Sequence, residues 1–117
     1  MTDARVYEGR RLPTGCLVTV DGKPLDPRYD LRKIADHFEW GYDGAGPRQL
    51  ALALLADHFG SGDKAMGAYR RLTNALIESL HGDAWSLTGE RIDQALEAFT
   101  EVPLDLPGLL ARLRGES

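Results

Sequence analysis

The stretch Phe38–Gly60, FEWGYDGAGPRQLALALLADHFG, decides the fold. Aromatic residues and a carboxylate give way to glycines at 41, 44 and 46, then to Pro47, then to an almost unbroken Leu/Ala run. Proline suits the first turn of a helix, where its missing N–H costs nothing. Glycine at position 60 suits a left-handed C-terminal cap. The spacing predicts a helix over 47–59. Leu50, Leu52, Leu54 and Leu55, with alanines between them, surround most of its circumference, and a helix apolar nearly all round belongs inside a domain. Ahead of it, Phe38–Trp40 reads as a short strand whose Glu39 faces away from the two aromatics.

Downstream the pattern stays helical. Met66, Tyr69, Leu72, Leu76 and Leu80 recur at spacings of three and four, which predicts an amphipathic helix from about 61 or 63 to 80, stopped by Gly82. Thr88 is a good N-cap for a third helix. Leu87 and Ile92 sit where a hydrophobic staple would place them, and Ile92, Ala95, Leu96 and Phe99 supply an inner face. A short fourth helix is expected over about 105–114, with Leu106, Leu109, Leu110 and Leu113 on one side.

Upstream the chain reads as β-structure. Arg5–Arg11 and Cys16–Val20 flank Leu12-Pro13-Thr14-Gly15, a hairpin turn in which proline pre-sets one corner. Cys16, Val18 and Val20 fall on one strand face. Asp21-Gly22 is a strong two-residue hairpin signal. A short third strand over 23–27 would lie at an edge, because Pro24 and Pro27 cannot donate to a ladder. Residues 28–37 read as a loop, or as a short helical turn begun at Asp30. The expectation is an α+β fold in one domain over 1–117: a small N-terminal antiparallel sheet packed on a C-terminal layer of three to four helices.

Composition narrows the function classes. The net charge of −4 opposes a general grip on nucleic acid, which needs a basic surface. Arg10, Arg11, Arg28 and Arg32 leave room only for a local contact. Cys16 is the single cysteine, so neither an internal disulfide nor a multi-cysteine zinc site can form; in a strand its thiol reads as inert. No apolar run reaches the roughly 18 residues of a membrane span, and the N-terminus has no apolar signal region. The cytoplasm is the expected compartment.

The candidate site lies at the start of the central helix. Gly44 and Gly46 would let backbone approach a small anion, drawn by the unpaired N–H groups of a first helical turn. Arg48 would add a charged donor, Asp43 would compete for the same position, Glu39 would take an arginine partner from among Arg10, Arg11 and Arg48, and Tyr42 would offer an aromatic face. The same glycines also serve plain architecture, steering the chain into a buried helix. The spacing is neither a P-loop nor the dinucleotide fingerprint. His37, His58 and His81 show no recognised metal-ligand spacing. No catalytic residue, metal or cofactor is expected.

The string FEWGYDGAGPRQLALALLADH, with YEGRRLPTG and VTVDGKPL before it and WSLTGERID after it, resembles a small uncharacterised family of bacterial and phage proteins whose hallmark is FEWGYxGxGPxQLALA. The resemblance covers roughly residues 5–96 and leaves out the C-terminal tail. It implies a small protein associated with mobile elements and brings no activity or catalytic residue. The leading expectation is a non-enzymatic binding or regulatory module that acts through a protein partner or a second copy of itself. The alternatives are a small-ligand or anion site, or an enzyme, at Glu39, Tyr42, Asp43, Gly44, Gly46 and Arg48, and a nucleic-acid contact through the arginines.

Overall fold

The computed structural model describes residues 5–98. The chain order is β1 (Val6–Leu12), β2 (Gly15–Val20), β3 (Lys23–Pro24), α1 (Ala45–Phe59), α2 (Gly62–Ala75), a 3-10 turn (Ile77–Ser79) and β4 (Ala84–Thr88). Residues 89–98 continue directly as α3. The strands form one antiparallel sheet in the order β3-β2-β1-β4. The architecture is α+β, with the sheet drawn mainly from the N-terminal half and the helices from the C-terminal half.

Local chemistry accounts for the hairpins. Leu12 pairs with Gly15 across the first turn and Val20 with Lys23 across the second. In the second turn Asp21 and Gly22 both have positive φ, 51° and 85°. A two-residue turn that follows strand twist needs that geometry, and Asp-Gly tolerates it. Asp21 also receives the Val6 N–H on Oδ1 at 2.9 Å, locking the turn to the start of β1.

The central helix carries the core. Every residue from Gln49 to Ala56 is buried, and Leu50, Leu52, Leu54 and Leu55 are wholly so. Each such leucine stabilises the fold by about 1.5–3 kcal/mol relative to exposure. Tyr7, Val18 and Leu87 from the sheet, and Ala65, Ala68, Tyr69 and Leu72 from α2, join the same hydrophobic cluster. Gly60 caps α1 at φ 65°, donating its N–H to the Ala56 carbonyl at 3.0 Å.

Five features differ from the sequence reading. The helix begins at Ala45, two residues before Pro47. Phe38–Trp40 is not a strand; its burial comes from packing, with Phe38 and Trp40 in the core while Tyr42 turns out to solvent. The second helix stops at Ala75 and tightens into the 3-10 turn, and Met66 is exposed rather than on the buried stripe. Ala84–Thr88 is a strand: it enters the sheet beside β1 with Trp85 opposite Gly9. The expected N-cap survives at its end, where Thr88 Oγ1 accepts the Arg91 N–H at 3.2 Å. The third strand shrinks to Lys23–Pro24. Phe99 and the fourth helix expected over 105–114 lie outside the described residues.

Candidate functional site

The start of α1 brings the sequence candidates together, largely on one another. Asp43 accepts from Arg48 Nε at 3.0 Å and Nη2 at 3.3 Å, and from Asn74 Nδ2 at 3.2 Å. The Arg48 guanidinium, with help from Asn74, holds the Asp43 carboxyl below its ordinary range. Tyr42 is 50% exposed, and its ring lies so close to Gly44 that a Cβ there would stand 2.6 Å from it. A Cβ on Gly46 would come 2.8 Å from Glu39 Cβ; the small residue lets the helix start press against the 38–40 segment. Among the described residues no side chain caps the first turn of α1, whose N-cap residue is Gly44.

Glu39 belongs to a second cluster. Arg11, on the inner face of β1, donates to Glu39 Oε1 at 2.8 Å, to the Trp40 carbonyl at 3.2 Å and to the Gly82 carbonyl at 2.8 Å. Its guanidinium lies 4.6 Å from the centre of the Trp40 ring, a cation–π geometry. Trp40 Nε1 donates to Gly82 O at 3.0 Å, and the ring meets Trp85 edge-on at 5.4 Å. Burial pushes the Glu39 carboxyl up, but Arg11 and the Trp40 N–H outweigh it and leave the group below its usual value. Burial, aided by neighbouring Glu39, pushes the Cys16 thiol up. A raised thiol is a poor nucleophile at neutral pH.

Sequence reasoning missed Gln49. Its side chain is fully buried, and its carboxamide is fully used. Oε1 accepts from Ile34 N at 2.6 Å and Ala35 N at 3.0 Å, while Nε2 donates to Pro27 O at 2.8 Å and Arg32 O at 3.1 Å. One side chain thus satisfies four main-chain groups of the long 25–44 connection. The available signal was a polar residue at the head of an otherwise apolar helix.

The far end of α1 carries a third cluster. Asp57 Oδ2 accepts from the Tyr7 hydroxyl and from Arg5 Nη1, each at 2.7 Å. Burial, and then the bond to Asp57, raises the Tyr7 hydroxyl well above its ordinary range. A cleft of about 350 Å³ opens there, lined by Arg5, Leu25, Asp26, Arg28, Ala53 and Asp57 among others. Arg28 holds a positive φ of 61° and forks onto Asp30 at 2.9–3.0 Å.

The remaining candidates are dispersed. Arg10 and Arg11 point to opposite faces of the sheet, as successive strand residues must, and Arg28 is paired to Asp30. His37 pairs with Asp36 at 3.0 Å and His58 with Asp93 at 2.9 Å, the latter joining α1 to α3. Among the described residues no three His, Cys, Asp or Glu side chains gather as a metal site would require, and no helix is long and apolar enough to cross a membrane.

The outer face of the sheet is different in kind. Leu12 and Leu17 are 39% and 43% exposed. Leu17 lies opposite Arg10, so Leu12 is its diagonal neighbour on the same face. A shallow groove of about 280 Å³ runs between Glu8, Arg10, Leu12, Leu17 and Thr19.

The model of a family of unknown function (DUF6166) matches residues 7–98. No curated protein and no solved structure matches the chain.

Proposed function

Because the chain belongs to the DUF6166 family, which supplies no activity to inherit, we propose from its surface that it is a non-enzymatic binding module of the cytoplasm, of bacterial or phage origin, acting through a protein partner. The observation that carries this reading is the pair Leu12 and Leu17 on the outer sheet face, beside a groove and uncovered by any described residue. The charged groups at the start of α1 support it from the other side. Asp43, Arg48, Glu39 and Arg11 bond to one another or to neighbouring backbone, which suits a structural role. The acidic net charge and the division of Arg10 from Arg11 weigh against nucleic acid.

Affinity capture from the native cell, run in parallel with the native chain and with Leu12→Ser/Leu17→Ser, tests it. Surface changes of this kind alter stability by only about 0.5 kcal/mol. The reading expects one protein captured by the native chain and lost with the double variant; identical capture by both would contradict it.

A second reading rests on the uncapped first turn of α1. A small anion there would meet main-chain N–H groups beside Arg48, with Tyr42, Gly44 and Gly46 forming the approach and Glu39 and Asp43 bounding it. Thermal stabilisation by inorganic phosphate, abolished by Arg48→Met, is the expected result; no shift at any phosphate concentration would remove this reading.

A further inference from the structure

We infer that a second copy of this chain pairs antiparallel along the outer edge of β4, which no strand among the described residues covers, joining two sheets into one. This goes beyond the protein-partner reading and is independent of it, at a surface separate from Leu12 and Leu17.

The two edges of the sheet are treated differently. The β3 edge is two residues long and holds Lys23 and Pro24, a short, charged, proline-blunted edge of the kind that resists pairing. The β4 edge, Ala84–Thr88, has no charge, no proline and an unbroken register with β1. The ladder determines which of its groups are free. Arg11 donates to the Asp83 carbonyl at 2.8 Å, so Asp83, Trp85 and Leu87 direct their main-chain groups at β1. By alternation both main-chain groups of Ala84 and Ser86, and the Thr88 N–H, are directed outward, the Thr88 carbonyl serving the first turn of α3, and all three residues are exposed.

That edge complements itself. A two-fold axis through Ser86 sets Ser86 against Ser86, exchanging N–H and C=O bonds, and Ala84 against Thr88, where the Thr88 N–H donates to the Ala84 carbonyl of the other copy while the Thr88 carbonyl stays with the first turn of α3. Between them, on the inner face, Trp85 comes opposite Leu87 of the other copy. Aromatic–aliphatic pairs at such positions are favourable. Trp85 is only half-buried in the single chain, and its Nε1 has no partner among the described residues, so its environment has room to change on pairing. No like charges meet within the strand. The joined sheet runs β3-β2-β1-β4-β4-β1-β2-β3, with both helical layers on one side and both Leu12/Leu17 faces on the other.

Mass measurement across a wide concentration range, on the full chain, tests this. A concentration-dependent rise from 12.9 kDa to twice that value is expected, with amide exchange at Ala84, Ser86 and Thr88 slowing as the dimer forms. Ser86→Lys and Ser86→Asp each place like charge on the axis and should weaken pairing about tenfold or more, while an equimolar mixture of the two should restore it. Leu12→Ser/Leu17→Ser should pair like the native chain. A monomer at every concentration overturns the inference. So does a dimer indifferent to Ser86 but lost with Leu12 and Leu17, which would leave the outer-face reading standing. Slow exchange of the three amides in dilute monomer, meaning that the chain covers its own edge, overturns it as well.

Discussion

Gln49 takes the main-chain N–H of Ile34 at 2.6 Å on the same oxygen that takes Ala35 at 3.0 Å. The consequence reaches well beyond one turn of helix. The connection between β3 and α1 contains no regular element, so its backbone groups have no ladder to pair with. A buried amide on the central helix supplies partners for four of them, and the long loop is thereby fastened to the most buried part of the molecule.

Gln49→Leu should therefore cost more than its volume suggests. It leaves two N–H and two C=O groups without partners, at about 1–3 kcal/mol for each that water cannot reach. With part of the loop open to solvent, a total of about 2–4 kcal/mol is expected by urea unfolding. Gln49→Glu adds a sign. A carboxyl in that site resists ionisation, so its pKa in the folded state lies above the unfolded value. The variant should come closest to native stability at acidic pH and fall away as pH rises.

At the other end of α1, Tyr7→Phe removes the hydroxyl that holds Asp57. Arg5 remains to pair with Asp57, so a loss of about 1–2 kcal/mol is expected. The native hydroxyl is raised by burial and by Asp57. Its contribution is fully present below the ordinary tyrosine value of about 10 and is lost as pH rises toward and through the folded value. The alkaline decline in stability should be shallower in Tyr7→Phe, as thermal melts at rising pH would record.

Glu39→Gln probes the Arg11–Trp40 cluster from the acid side. The Glu39 carboxyl is held below its ordinary value, the bonds from Arg11 and Trp40 N–H outweighing burial. Its stabilising contribution is present above the unfolded glutamate value of about 4.3 and is lost as pH falls through the folded one. Native and variant stabilities should differ at neutral pH and converge in acid, measured by denaturant midpoints.

Gly9→Ala tests the sheet's inner packing. A Cβ there would stand 2.3 Å from the Trp85 ring, so the indole must leave its edge-on contact with Trp40. A cost of about 1–3 kcal/mol is expected from overpacking, with a red shift in tryptophan emission. An unshifted spectrum would mean that Trp85 does not rest on Gly9.

The sequence was legible where local chemistry alone dictates structure. Asp21-Gly22, Gly60 and Thr88 act within a few residues, and all three behave as read. The burial of α1 followed from leucines on every face. What escaped depends on distant partners. Ala84–Thr88 carries too short a pattern to announce a strand, and it becomes one because β1 lies beside it. Phe38–Trp40 has strand-like alternation, yet its carbonyl and carboxylate are claimed by Arg11 instead of a ladder. At the candidate site, the Asp43–Arg48 pair is local and was half-visible, and Arg11 was among the three arginines read as partners for Glu39, whereas Asn74 arrives from another element. The role of Gln49 was hidden because a polar residue at the head of a largely apolar helix does not say which loop it will hold.

Amide hydrogen exchange at Ile34 and Ala35 tests the central claim, that the buried helix organises the whole chain by gripping its loop. In the native protein these two amides, outside any helix or strand, should exchange nearly as slowly as the amides of Leu50–Ala56, and in Gln49→Leu they should speed up by orders of magnitude while the helix stays protected. Exchange of Ile34 and Ala35 at free-loop rates in the native protein would contradict the account.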